Sequence, residues 1–147
     1  VFRHLLVPTD GSPLSQRAVA QAIALARRFG ARITFFHAEP NAPVPMDGAG
    51  VVINAHALQL AHERLDAAAH DILAEADALA QEAGVAADSV VLVSDKPYEG
   101  IIRTAERLGC DLILMASHGR RGVGALLLGS ETQKVLTHTR IPVLVHR

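Results

Sequence analysis

Along this chain short apolar runs alternate with longer segments of helical period, and that alternation restricts the fold more than any other feature. Residues 3–8 (RHLLVP) make the first apolar run. Asp10-Gly11-Ser12-Pro13 follows as a turn, with Ser12 suited to cap a helix and Pro13 to its first position. Val19, Ala22, Ile23 and Ala26 then recur at helical spacing up to Phe29, and Gly30 ends that helix. A second strand is expected over 31–38 (ARITFFHA), a third over 89–94 (SVVLVS), a fourth over 111–117 (DLILMAS) and a closing strand over 142–146 (PVLVH). Helices are expected over 56–83, 97–108 and 130–138, the first two stopped by Gly84 and Gly109. On the long helix Leu58, Ala61, Leu65, Ala68 and Ile72 mark one face. Residues 39–55, rich in Pro and Gly, read as a loop long enough to serve as a lid or an interaction segment.

Strands apolar on both faces and separated by helices imply a mostly parallel sheet covered on both sides. Right-handed crossovers leave doubly wound arrangements. The expected fold is therefore α/β: one Rossmann-like domain over 1–147, with an open sheet of five mostly parallel strands in the order 3-2-1-4-5 and helices on both faces. A chain of 147 residues buries enough surface to need no disulfides, and its single cysteine, Cys110, allows none within the chain.

Composition excludes several functions. The 14 basic and 15 acidic side chains nearly balance, which leaves no basic footprint for nucleic acid. Aromatic residues are 3% of the chain and Trp is absent, so no platform for stacking bases is expected. No apolar run approaches the length of a membrane span, and the segment VFRHLLVPTDGS is too short in its apolar core for a signal peptide. A cytoplasmic protein with no membrane partner is the expectation.

In doubly wound sheets ligands bind beyond the carboxyl ends of the strands, where the strand order reverses. That rule selects the turn after the first strand and the loop after the fourth. The latter, SHGRRGVGALLLGSETQKV, places Gly119, Gly122 and Gly124 close to the strand and Gly129-Ser130 at the start of a helix. Glycines let backbone approach an oxyanion, and the amides of a helix N-terminus favour phosphate. The Ser130 hydroxyl can cap that helix or donate to a phosphate oxygen, and Arg120 and Arg121 can add charge. A flexible loop ahead of an ordinary Ser-capped helix is the alternative, and loop composition does not choose between them. The pattern is neither a P-loop nor G-x-G-x-x-G. In the other turn, the Asp10 carboxylate can accept from a ribose hydroxyl or an adenine amino group, bind metal, or simply hold the turn.

Nearly the whole chain resembles the universal stress protein family. That family opens with a strand ending in a turn such as P-x-D-x-S, here Pro8-Thr9-Asp10-Gly11-Ser12, and its nucleotide-binding members carry G-x2-G-x9-G-(S/T) after the fourth strand. Here the frame is Ala116-Ser117-His118-Gly119, then RRGVGALLL, then Gly129-Ser130, so Ala116 replaces the first glycine. The tail KVLTHTRIPVLVHR is similar to the family's ending. The resemblance implies an adenine nucleotide alpha hydrolase-like fold and binding of ATP or AMP, with Mg²⁺ accompanying ATP. It implies that Pro8, Thr9, Asp10 and Ala38 line a base pocket, that Met115 and Ala116 border base and ribose, and that Gly119, Gly129, Ser130 and the Glu131 amide hold phosphate. His118 and Arg120 lie where they can touch phosphate. The Ala116 methyl weakens ribose contact, and Asp95 stands where similar sequences commonly have Gly. Its carboxylate either repels phosphate or helps hold a divalent cation.

The resemblance implies a stress-response protein acting through nucleotide-dependent conformation or an unidentified protein partner, with slow ATP hydrolysis at most. An interaction module of the same fold that binds no nucleotide is the alternative. The apolar closing strand 142–146 predicts a homodimer through a sheet edge, in agreement with the family's behaviour. Other candidates carry less. His62, Asp66 and His70 share a helical stripe but lack H-E-x-x-H, so a solvated face is expected. No paired acid, base and nucleophile is visible, no catalytic or dedicated metal-binding set is assigned, and Cys110 reads as a structural thiol.

Overall fold

The computed structural model describes residues 1–43, 46–47, 50–51, 55–120 and 127–147. In chain order these form β1 (His4–Pro8), α1 (Pro13–Phe29), β2 (Arg32–Glu39), β3 (Met46–Asp47), β4 (Gly50–Val51), α2 (Ala55–Glu82), β5 (Ala87–Val93), α3 (Pro97–Leu108), β6 (Leu112–Ala116), α4 (Ser130–His138) and β7 (Val143–His146). The main sheet has five strands in the order β5-β2-β1-β6-β7, all pairings parallel. Leaving aside the short hairpin β3-β4, that is the expected 3-2-1-4-5 order. β1 lies at the centre, and the direction of winding reverses between β1 and β6.

The alternation of side chains along the central strands sorts the core into two layers. Leu5, Val7, Ile33, Phe35, Leu112 and Leu114 face one side, where Ala18, Val19, Ala22 and Ile23 of α1 and Leu73, Ala76 and Ala80 of α2 cover them. Leu6, Phe36, Ile113 and Met115 face the other, against Ile101 and Ala105 of α3 and Val135 of α4. The small residues Ala18, Ala22, Ala26 and Gly100 let helix backbones lie close to the sheet. A Cβ on Gly100 would stand 3.0 Å from the Phe36 ring.

Three departures from the sequence pattern have physical causes. β5 starts at Ala87, ahead of the apolar run, because Ala87 and Asp88 pair in register with Ile33 and Thr34. Asp88 is held there by the Thr34 hydroxyl at 2.5 Å and by Arg32 at 3.5 Å. The segment expected as loop over 39–55 contributes Glu39 to β2, two short antiparallel strands and the first residue of α2. Residues 44, 45, 48, 49 and 52–54 lie outside the described residues. Finally, α2 buries Ala69, Leu73, Ala76 and Ala80 rather than the expected stripe, of which Ala68 is exposed and the rest only half-buried. A helix of 28 residues runs about 42 Å; only its second half lies over the sheet.

Candidate functional site

The turn after β1 is shaped by its own side chains. Gly11 takes φ +76°, and a Cβ there would stand 2.9 Å from Ile72 Cγ1. Ser12 caps α1, its Oγ accepting from the Ser15 amide at 3.3 Å. The buried hydroxyls of Thr9 and Ser15 meet at 3.1 Å. Across the sheet the His37 Nδ1–H donates to the Thr9 carbonyl at 2.8 Å, fixing the ring where β2 ends beside the turn.

Asp10 joins this turn to the loop after β6. One carboxylate oxygen accepts from the Ser12 amide at 2.9 Å and the other from the Arg120 amide at 2.9 Å. Burial pushes its carboxyl upward, but hydrogen bonds from Ser12 and Arg120 outweigh burial and hold it below the ordinary carboxylate value. A Cβ on Gly119 would collide with the Asp10 carboxylate. Glycine at 119 therefore makes room for Asp10.

The loop closes on itself where α4 begins. The Gly129 amide donates to the Ser117 carbonyl at 2.7 Å, and the Thr132 hydroxyl donates to the Ala116 carbonyl at 3.0 Å. A Cβ on Gly129 would stand 3.1 Å from His118 Cα. Gly129 itself, not Ser130, is the N-cap, and no side chain caps the helix. The expected capping role of Ser130 is thus corrected: the helix starts one residue earlier than such a cap requires, and Ser130 occupies its first turn. The first-turn amides of Ser130, Glu131 and Thr132 have no acceptor among the described residues. Such amides, with the helix dipole, fit an anion. The Glu131 carboxylate turns away from them. Its Oε2 accepts from the Tyr98 amide at 2.8 Å and so satisfies the N-terminus of α3, which has no cap of its own.

These elements enclose two adjoining cavities at the carboxyl ends of β1, β2 and β6. The inner one, about 190 Å³ and mostly apolar, is lined by Pro8, Thr9, Ala38, Met115 and Ala116, all expected, and by Phe36, His37, Ile101 and Thr132. The outer one, about 550 Å³, is bordered by Arg120, Gly129 and Ser130, and by Ser94, Asp95 and Pro40. Asp10, Ala38, Pro97, His118, Gly119, Glu131 and Thr132 border both. The residues expected around the nucleotide, from Pro8 to Glu131, and Asp95 all border this cleft; Arg121, Gly122 and Gly124 fall outside the described residues. Sequence reasoning missed His37 and Thr132. His37 was findable as the polar residue next to Ala38 at a strand's carboxyl end, whereas nothing in the sequence shows that Thr132 reaches Ala116.

The discounted candidates stay apart. His70 and Asp66 form an exposed pair at 3.5 Å on α2, and among the described residues no cluster of ligating side chains suits a metal ion. Cys110 is buried, and burial pushes its thiol up to about 11. No helix among the described residues is long and apolar enough to cross a membrane.

A parallel sheet in this order, with a cleft where the winding reverses, defines a doubly wound α/β protein. The model of the universal stress protein family matches residues 2–147, and the chain belongs to that family. A Thermus aquaticus relative, the universal stress protein in QAH/OAS sulfhydrylase 3'region, is 38% identical over 147 residues, spanning 100% of both chains. Among solved structures, the universal stress protein UspA from Lactobacillus plantarum superposes with a TM-score of 0.78 at 22% identity, over 99% of this chain and 98% of its own. A universal stress protein crystallised in complex with cAMP superposes with a TM-score of 0.72 at 25% identity, over 99% and 97%.

Proposed function

We propose that the cleft binds an adenine nucleotide, AMP or ATP, and that the protein acts in stress response through nucleotide-dependent conformation or partner binding. The observation that carries this reading is the uncapped N-terminus of α4, set across one cleft from an apolar pocket with the Asp10 carboxylate between them. The base enters the inner pocket between Ala38 and Met115, with Asp10 and the Thr9 backbone in reach of base or ribose. The phosphate lies over Gly129, Ser130 and the Glu131 amide, with Gly119, His118 and Arg120 at the rim. The cAMP complex of the related structure supports an adenine nucleotide as the ligand class. Where ATP binds, Mg²⁺ accompanies it and offsets its charge. The chain acts as one cytoplasmic domain over 1–147 and pairs as a homodimer through the strand at 142–146.

Native mass spectrometry of the purified protein tests the ligand. The expected spectrum carries an adenine nucleotide, or gains one when AMP or ATP is added. A protein that emerges empty and takes up neither at millimolar nucleotide contradicts the reading and leaves an interaction module of the same fold.

A further inference from the structure

The described residues bordering the outer cleft carry more negative than positive charge: Asp10, Asp95 and Glu131 stand against Arg120. These carboxylates are not equivalent. Asp10 uses both oxygens on backbone amides at the back of the cleft. Glu131 caps α3 and has Lys134 at 3.5 Å. Asp95 is exposed at the mouth, and both its oxygens are held by neutral donors, the Asn41 amide at 3.1 Å and the Asn41 side chain at 2.7 Å. Those two bonds hold its carboxyl below the ordinary value, so it is ionised at neutral pH. No cation pairs with it among the described residues. It therefore presents a fixed, uncompensated negative charge beside Ser94, in the same cleft as Gly129 and Ser130.

We propose that Asp95 sets the phosphate charge this cleft accepts, so that without a divalent cation affinity falls from a cyclic monophosphate through AMP to ATP. This rests on the nucleotide reading above and adds the class of nucleotide to it. The α4 amides attract the first phosphate group in all three ligands, but one helix N-terminus offers only about half a unit charge, against the full charge on Asp95; the cyclic phosphate brings one negative charge to that balance and the AMP phosphate nearly two. Each further phosphate adds negative charge that must lie nearer the mouth, where Asp95 stands. The repulsion acts through solvent, so it is modest, grows at low ionic strength and is offset by Mg²⁺ bound to the polyphosphate.

Isothermal titration of cAMP, AMP and ATP tests this, at low salt with a chelator and then with Mg²⁺, on the wild type and on Asp95→Asn and Asn41→Ala. In the wild type with chelator, ATP binds most weakly, and Mg²⁺ raises its affinity more than that of cAMP. Asp95→Asn raises ATP affinity about fivefold and cAMP affinity less than about twofold, as one removed charge acting on different ligand charges requires. Asn41→Ala removes the side-chain bond to Asp95, leaves the backbone one and keeps the charge, so it retains the wild-type order. The proposal is overturned if ATP binds as tightly as cAMP in the chelated wild type, if Asp95→Asn shifts both by one factor, or if Asn41→Ala reproduces Asp95→Asn. Nucleotides that bind without this ranking leave the cleft's function standing and remove only the role of Asp95. Failure of all three to bind removes both.

Discussion

At the scale of single residues, Gly119 and Asp10 depend on each other. Any side chain at 119 meets the Asp10 carboxylate, and without that carboxylate the Arg120 and Ser12 amides lose their shared acceptor. Gly119→Ala is expected to cost about 1–3 kcal/mol, as overpacking at a constrained site does; urea denaturation measures it. Asp10→Asn tests the charge. The folded carboxyl lies below its value of 3.8 in a free chain, so its contribution is complete well above that pH and is lost as pH falls through the folded value. The stability gap between wild type and Asp10→Asn is therefore widest near neutrality and closes in acid. A gap that stays constant down to the acid limit of the fold would show that the carboxylate's charge is not what matters.

At the scale of elements, a chain of polar groups, buried at His4 and Thr34 and exposed at Asp88, ties three strands together at the end of the sheet opposite the cleft. The Thr34 hydroxyl on β2 donates to Asp88 on β5, and its oxygen accepts from His4 Nε2–H on β1 at 2.8 Å. Replacing Thr34 by Val keeps the shape but strands the buried imidazole. The expected loss is about 1–3 kcal/mol, and a denaturation midpoint equal to wild type would refute it. This tie also shows what could be read from the sequence. The apolar strands, the Gly stops and the order of elements follow from period and turn chemistry, which are local. The first residues of β5 do not, because Asp88 belongs to a strand only through partners more than fifty positions away. The site divides in the same way. Asp10, Gly119 and Gly129 were legible from loop chemistry and from the resemblance to a family. The turning of Glu131 toward α3, and Gly129 rather than Ser130 as the cap, depend on how α3 and α4 pack, which a linear pattern does not encode.

At the scale of the molecule, β7 closes the sheet with one neighbour, β6, and its free edge carries the exposed Leu144 beside half-buried Val143 and Val145. An apolar edge of this kind is a template for a second strand. Sedimentation at roughly the tens of micromolar that standard-sized interfaces tolerate is expected to give a dimer, and Leu144→Lys a monomer. A wild-type monomer would refute the pairing. The central claim, that the cleft between Asp10 and α4 takes an adenine nucleotide, is tested most directly by fluorescence anisotropy of an adenine nucleotide probe. Saturable binding to the wild type, displacement by AMP, and loss of binding in a folded Gly129→Val variant are expected, because a side chain at 129 presses on His118 and the Ser117 carbonyl and so shifts the start of α4. No rise in anisotropy with wild-type protein, or equal binding by Gly129→Val, would contradict it.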